Sequence, residues 1–141
     1  MVNHDYYHNL VKNSLEKDDW TITNDPLYLK VGQIKLFVDI GAEKLIAAEK
    51  GQIKIAVEIK SFLSPSPINE FEKALGQYNI YSAVLLDQDP DRILYLAIPI
   101  DIYESIIEKE LGKIILKKFP INLIVYDTEK GEISKWFPKI N

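Results

Sequence analysis

The sequence predicts an α/β protein in which helices flank a central mixed β-sheet. Three observations lead there. Helix and strand patterns follow one another in the order α-β-β-β-α-β and then α-β-β, as expected of a layered fold. Residues 92–99, RILYLAIP, are almost wholly apolar, which suits a strand covered on both faces. Finally, 141 residues with 47% hydrophobic and 27% charged content fit one core, so 1–141 is expected to be a single domain.

Each element has its own signal. Over 5–18, Tyr7, Leu10, Val11 and Leu15 recur at helical spacing and predict an amphipathic helix. Trp20 introduces the β-branched TIT of a strand at 20–24, and Asn24-Asp25-Pro26 is a turn. In 34–40, IKLFVDI, the residues Ile34, Leu36, Val38 and Ile40 should share one strand face, with Lys35, Phe37 and Asp39 on the other. Residues 45–60 read as a hairpin turning at Lys50-Gly51. Its second arm alternates Ile53, Ile55, Val57 and Ile59 against Lys54, Ala56, Glu58 and Lys60.

Ser66-Pro67 supplies an N-cap and a first-turn proline for a helix over 67–86, with Ile68, Phe71, Leu75 and Tyr78 along its apolar stripe. Asp89-Pro90-Asp91 turns the chain into the strand at 92–99. One or two helices broken near Gly112 fill 101–118, and strands follow at 121–127 and 132–137. Trp136 and Phe137, at the end of the last strand, read as core.

Composition removes several functions. With no cysteine, disulfides, thiolate metal sites and cysteine nucleophiles are excluded. The polar MVNHDYYHNLVKN start lacks the apolar core of a signal peptide, and no apolar run approaches the roughly 20 residues that span a bilayer. A cytoplasmic protein with no membrane partner is expected. A net charge of −4 argues against a strongly basic, sequence-blind DNA binder, though lysines can still cluster locally. Lys109, Lys113, Lys117 and Lys118 form such a strip, which a solvated helix face explains equally well. Neither a G-x-x-x-x-G-K-[ST] nor a G-x-S-x-G stretch occurs, so nucleoside-triphosphate and serine-hydrolase chemistry lack support.

The charged side of 54–60 is the candidate site. A tight turn at 50–51 would set Glu58 opposite Glu43, with Asp39 four residues along on the same pleat face. Carboxylates held together repel, so the cluster Asp39, Glu43, Glu58 calls for a cation, and oxygen-only ligands suit Mg²⁺ or Mn²⁺. Lys60, two residues from a ligand, could orient an attacking water or stabilise charge developing on a phosphate. The competing reading is a solvated strand face or a structural ion pair. No other lysine in the chain has an acid two positions before it.

Asp39 followed by Glu58-x-Lys60 resembles the PD-(D/E)xK nuclease superfamily, whose core is also α-β-β-β-α-β. Gln77 and Tyr81, one helical turn apart in QYNIY, resemble the Q-x-x-x-Y element of its RecB-like branch, which lies beside the active site. More closely, the stretches YHNLVKNSLEKDDWTITNDPLYL, VDIGAEKLIAAEKGQIKIAVEIKSF, EKALGQYNIY and DRILYLAIP are similar to the XisH family, cyanobacterial factors controlling excision of the fdxN element. The resemblance implies a restriction-endonuclease-like fold, DNA as substrate, Mg²⁺ or Mn²⁺ as cofactor, and an XisI-like companion protein, with self-association into a homo-oligomer left open. It also implies roles for Gln77 and Tyr81 in orienting the site or the substrate.

Two departures stand out. Superfamily members often carry an acid on the first helix where this chain has His8, which becomes a candidate for contact behind the ligands. The residue before Asp39 is Val38 rather than proline, and both Asp39 and Glu43 stay open as the partner of Glu58. His4 and His8, four residues apart, read as surface residues rather than metal ligands. Three functions compete: a metal-dependent DNA endonuclease, a non-cutting nuclease-fold protein that recruits or regulates a recombinase through the companion, and, ranked last, a small-phosphoester hydrolase.

Overall fold

The computed structural model of the protein describes residues 4–47 and 51–140, with side chains at 6–45 and 51–140. The expected turn residue Lys50 and the side chain of His4 lie outside that set. The chain runs α1 (His4–Lys17), β1 (Thr21–Asn24), β2 (Leu27–Val31), β3 (Ile34–Val38), β4 (Ile40–Ala47), β5 (Gly51–Ile59), α2 (Pro67–Gln88) and β6 (Arg92–Pro99). It continues as α3 (Ile100–Ile102), a π-helical turn (Tyr103–Ile107), α4 (Glu110–Lys118), β7 (Leu123–Asp127) and β8 (Glu132–Phe137).

Alternation within the strands creates two layers. The main sheet has the order β1-β4-β5-β6-β7-β8. Pairs β5–β6 and β6–β7 are parallel, and the remaining pairs are antiparallel. One face buries Ile55, Val57, Ile59, Tyr95, Ala97, Ile124 and Tyr126 against Leu10, Val11 and Leu15 of α1. The other buries Ala56, Leu94, Leu96, Ile98 and Leu123 against Phe71, Ala74, Tyr78, Tyr81 and Leu85 of α2. This is the α/β architecture expected, a mixed sheet with helices on both faces.

The sheet curls around α1. Trp20, one residue before edge strand β1, stacks on Trp136 of the opposite edge strand β8, with ring centroids 5.8 Å apart. Five steps across a flat sheet would separate those edges by roughly 24 Å. Tyr95 meets Trp136 edge-on and completes the closure.

Helix α2 starts as its sequence dictates: Pro67 occupies the first turn and the Ser66 hydroxyl accepts a hydrogen bond from Asn69 N–H at 3.3 Å. Its buried stripe is Phe71, Ala74, Tyr78, Tyr81 and Leu85. Ile68, expected in that stripe, is exposed and Leu75 only partly buried, because the stripe follows the 3.6-residue repeat from Phe71 rather than from Ile68. Removing the Phe71 ring would cost about 3–5 kcal/mol.

Three further expectations are corrected. A strand not anticipated from sequence, β2, pairs with β3 in a separate two-stranded sheet. Gly112 lies within α4, and the chain breaks earlier, between Ile107 and Glu110. A β-carbon at Gly112 would overlap the carbonyl oxygens of Ile106 and Ile107, so glycine serves a close helix approach there rather than a break. Phe137 is partly exposed and stacks on Tyr103, whereas Trp136 packs against the α1 layer.

The strand expected over 34–40 is two strands. Val38 joins the α2-side core and Ile40 the α1-side core, so the shared face predicted for them is interrupted at Asp39. The chain leaves the small sheet and enters the large one at that residue.

Candidate functional site

With Ile55, Val57 and Ile59 committed to α1, the pleat turns Glu58 and Lys60 toward α2. Strand β5 is flanked on both edges, and α2 covers it. Glu58 is 5% exposed, the one buried charged residue among those described. A solvated strand face therefore does not account for it. Glu58 lies near the C-terminal ends of the parallel strands β5 and β6, where open α/β sheets gather their ligands.

Asp39 meets it there. Pairing of Ile40 with Val57 and Gly41 with Ala56 carries the register on to Asp39 beside Glu58. The two residues brace each other through the backbone. Asp39 N–H donates to Glu58 Oε1 at 3.3 Å, and Ile59 N–H donates to Asp39 Oδ2 at 2.7 Å. Because β4 begins only at Ile40, the Asp39 carboxylate takes the place of a missing backbone acceptor for Ile59.

Glu43 is not brought to this place. It pairs with Lys54, four residues up the strand from Asp39, roughly 13 Å away along the backbone. The expectation of Glu58 opposite Glu43 assumed a turn at 50–51. Instead the ladder runs up to Ala47 opposite Gly51, with a register shift between Leu45 and Ala47. His8 hydrogen-bonds Asp25 Oδ1 at 2.7 Å, on the α1 side of the molecule, and Lys12 shares the same carboxylate at 2.8 Å. Burial raises the Asp25 carboxyl, yet Lys12 and His8 outweigh burial and hold it below the usual range.

Lys60 and Tyr81 join the pair. Lys60 Nζ lies 3.5 Å from Glu58 Oε2. Tyr81 is buried on α2, and burial, then the charges of Glu58 and Asp39, push its hydroxyl up to about 12, so it stays a donor at neutral pH. Gln77 lies one turn earlier on the same helix face, and its Oε1 is buried with no hydrogen-bond partner among the described residues. An orphaned buried acceptor is costly and is retained where something else satisfies it.

Glu58 itself resists ionisation. Burial pushes the Glu58 carboxyl up to about 8, the Asp39 carboxylate adds to the rise, and Lys60 opposes it. A divalent cation would reverse both causes. Among the described residues no three His, Asp or Glu side chains group closely enough to hold a metal. Two carboxylates still fit Mg²⁺, which keeps several waters and binds proteins through one or two carboxylates. The donor set is thus compatible with the expected ion through Asp39 and Glu58, without Glu43.

Sequence reasoning missed the supports of Lys60. Tyr126, from the opposite face of the sheet, donates its hydroxyl to the Lys60 carbonyl at 2.7 Å, and Lys60 N–H donates to the Ala97 carbonyl at 2.9 Å. Phe62, two residues on, is buried with a φ of 58°, a strained conformation for a residue with a β-carbon. Nothing in a one-dimensional pattern pairs Tyr126 with a residue 66 positions away.

The other end of the same β5 face is a separate structure. Lys54 Nζ pairs with Asp89 Oδ1 at 2.6 Å, and Arg92 Nε with Asp89 Oδ2 at 2.9 Å. Arg92 Nη1 also donates to the Ile55 carbonyl at 2.9 Å. Burial raises the Asp89 carboxyl, but the Lys54 and Arg92 hydrogen bonds prevail and hold it low.

Comparison with known proteins places the chain in a family. No curated protein is detectably similar to the chain. The crystal structure of an XisH family protein from Nostoc punctiforme is 41% identical, with a TM-score of 0.83, covering 94% of this chain and 98% of that one. An fdxN element excision controlling factor protein from Anabaena variabilis is 42% identical, with a TM-score of 0.84 and the same coverage. The family model described as XisH protein matches residues 1–134, and the chain belongs to the XisH family.

Proposed function

We propose that the chain acts in controlling excision of a DNA element, and that Asp39, Glu58 and Lys60 form a Mg²⁺-dependent DNA phosphodiesterase site of the PD-(D/E)xK kind. The excision role is carried over from the name of the Anabaena variabilis relative. The observation that carries the chemical reading is the braced Asp39–Glu58 pair beside Lys60, buried where a cation and not solvent would restore its charge.

Asp39 and Glu58 would hold the ion. When bound, it supplies charge to the scissile phosphate and a more acidic water. Lys60, with its backbone pinned by Tyr126 and Ala97, presents its ammonium to the attacking water or to a phosphate oxygen. Tyr81 donates its hydroxyl, and the orphaned Gln77 oxygen accepts from a water or from the substrate. Burial on the α2 side strengthens each of these contacts.

Purified protein incubated with supercoiled, linear and single-stranded DNA plus Mg²⁺ or Mn²⁺ tests this reading. Cleavage that Glu58→Gln and Lys60→Ala abolish supports it. Cutting that both variants retain, or no cutting of any form together with normal excision in cells by Lys60→Ala, overturns it.

A second reading is favoured by one observation: protein groups alone brace both carboxylates, Asp39 N–H and Lys60 on Glu58 and Ile59 N–H on Asp39. The chain would then be a nuclease-fold protein that recruits or regulates a recombinase through an XisI-like companion. Normal excision by a folded Glu58→Gln variant would select it.

A further inference from the structure

The β2–β3 hairpin pairs only with itself and stands outside the six-stranded sheet. Its inner face, Leu27, Leu29, Leu36 and Val38, packs into the α2-side core. Its outer face sets Tyr28 opposite Phe37 and Lys30 opposite Lys35. Tyr28 and Phe37 are 63% and 47% exposed, and their rings meet edge-on with centroids 4.9 Å apart. Lys30 and Lys35 are exposed and have no acidic partner among the described residues.

The ribbon carries local positive charge. Residues 26–38 contain two lysines and no acid, in a protein with 21 acidic residues and a net charge of −4. Protein-binding faces are rich in aromatics but poor in lysine. Exposed rings interleaved with lysines instead match surfaces that bind single-stranded nucleic acid, where bases stack on the rings and phosphates meet the cations. Position agrees. Phe37 precedes Asp39 by two residues, about 7 Å of strand, so β3 leads straight from this face to the carboxylate pair.

We propose that the outer face of the β2–β3 hairpin binds single-stranded or locally unpaired DNA. Tyr28 and Phe37 stack on bases, and Lys30 and Lys35 neutralise phosphates. The assignment of DNA rests on the function proposed for the neighbouring site.

Fluorescence anisotropy of a labelled oligothymidylate and of a duplex of equal length, with the full chain in EDTA, tests this independently of cleavage. The wild type should favour the single strand. Tyr28→Leu and Phe37→Leu should each weaken binding about ten-fold, while Tyr28→Phe should retain it. Replacing Lys30 and Lys35 together by alanine should lower the slope of log affinity against log salt by about 1.4.

Leucine keeps the apolar area, and circular dichroism melts confirm that each variant folds. If the leucine variants bind the single strand as the wild type does, the proposal is overturned. Loss of self-association in the Lys30, Lys35 variant with single-strand binding intact would overturn it in favour of a protein contact. Weakened binding in the hairpin variants, with no cleavage by any protein and normal excision in cells by Lys60→Ala, would support the hairpin and overturn the nuclease reading. Unaltered binding with Lys60-dependent cleavage would do the reverse.

Discussion

Strand β5 carries two charged groups on one pleat face, and they behave oppositely. At its N-terminal end Lys54, Asp89 and Arg92 neutralise one another at 2.6 and 2.9 Å, and Asp89 ionises more readily than a free carboxyl. At its C-terminal end Glu58 faces a second carboxylate, with one lysine 3.5 Å away, and ionises reluctantly. The alternation rule that puts both groups on this face is the same. What differs, among the described residues, is the nearest partners: Asp89 meets two cations, whereas Glu58 meets one lysine and a second carboxyl group. A structural ion pair and a candidate functional site can therefore share one strand, and only the stoichiometry of neighbours separates them.

The largest expected effect is chemical. If the C-terminal group is catalytic, Lys60→Ala should lower DNA cleavage about 10²–10³-fold, and Lys54→Ala should leave the cleavage rate unchanged. Equal losses in both variants would erase the contrast.

Stability against pH comes next, and the two ends should show opposite signs. Folded Glu58 keeps its proton up to about pH 8, while the unfolded group releases it near 4.5. Its contribution is thus fully present below pH 4.5 and is lost as pH rises through 8, on the order of 3 kcal/mol by neutral pH. Denaturant midpoints of metal-free wild type should fall over that window, and those of Glu58→Gln should stay flat. For Asp89 the folded carboxyl is lowered, so its contribution is present above the ordinary carboxylate range and is lost as pH falls through the folded value.

Asp89→Ala should cost about 1–2 kcal/mol at pH 7, measured by urea unfolding, because Arg92 is largely buried and loses its partner. The smallest effect concerns Gln77. Replacing it with leucine should raise stability by about 1 kcal/mol, since the orphaned acceptor disappears, while lowering any cleavage activity. A destabilised Gln77→Leu would mean that its oxygen is already satisfied.

Much of this was legible in the chain. Alternation in 53–60 gave the two faces of β5, and the spacing of Tyr7, Leu10, Val11 and Leu15 gave the buried side of α1. Ser66-Pro67 marked the start of α2 to the residue. Glu58 and Lys60 were found because strand alternation lets their face be counted, and Tyr81 through its resemblance to the Q-x-x-x-Y element.

The misreadings have a shared cause. Register depends on where a ladder closes, and residues 45–51 offered several closures, so Glu43 stayed open beside Asp39 as the partner of Glu58. Period-2 counting also fails at a residue where the chain changes sheets, and Asp39 is such a residue. Strand β2 went unseen because five residues beside a proline turn carry too little pattern. The Tyr126 hydroxyl was invisible because it reaches Lys60 through the sheet rather than along the chain.

The tryptophan pair has a practical consequence. Trp20 and Trp136 are the chain's only tryptophans, and both lie in the layer that packs on α1. Intrinsic fluorescence will therefore report when the curled sheet lets go of its first helix, and will be nearly blind to the α2 side. A spectroscopist who titrates magnesium or DNA and sees no change in tryptophan emission has learned nothing about Asp39 and Glu58. A reporter placed on α2, at an exposed position such as Ile80, would look at the correct side.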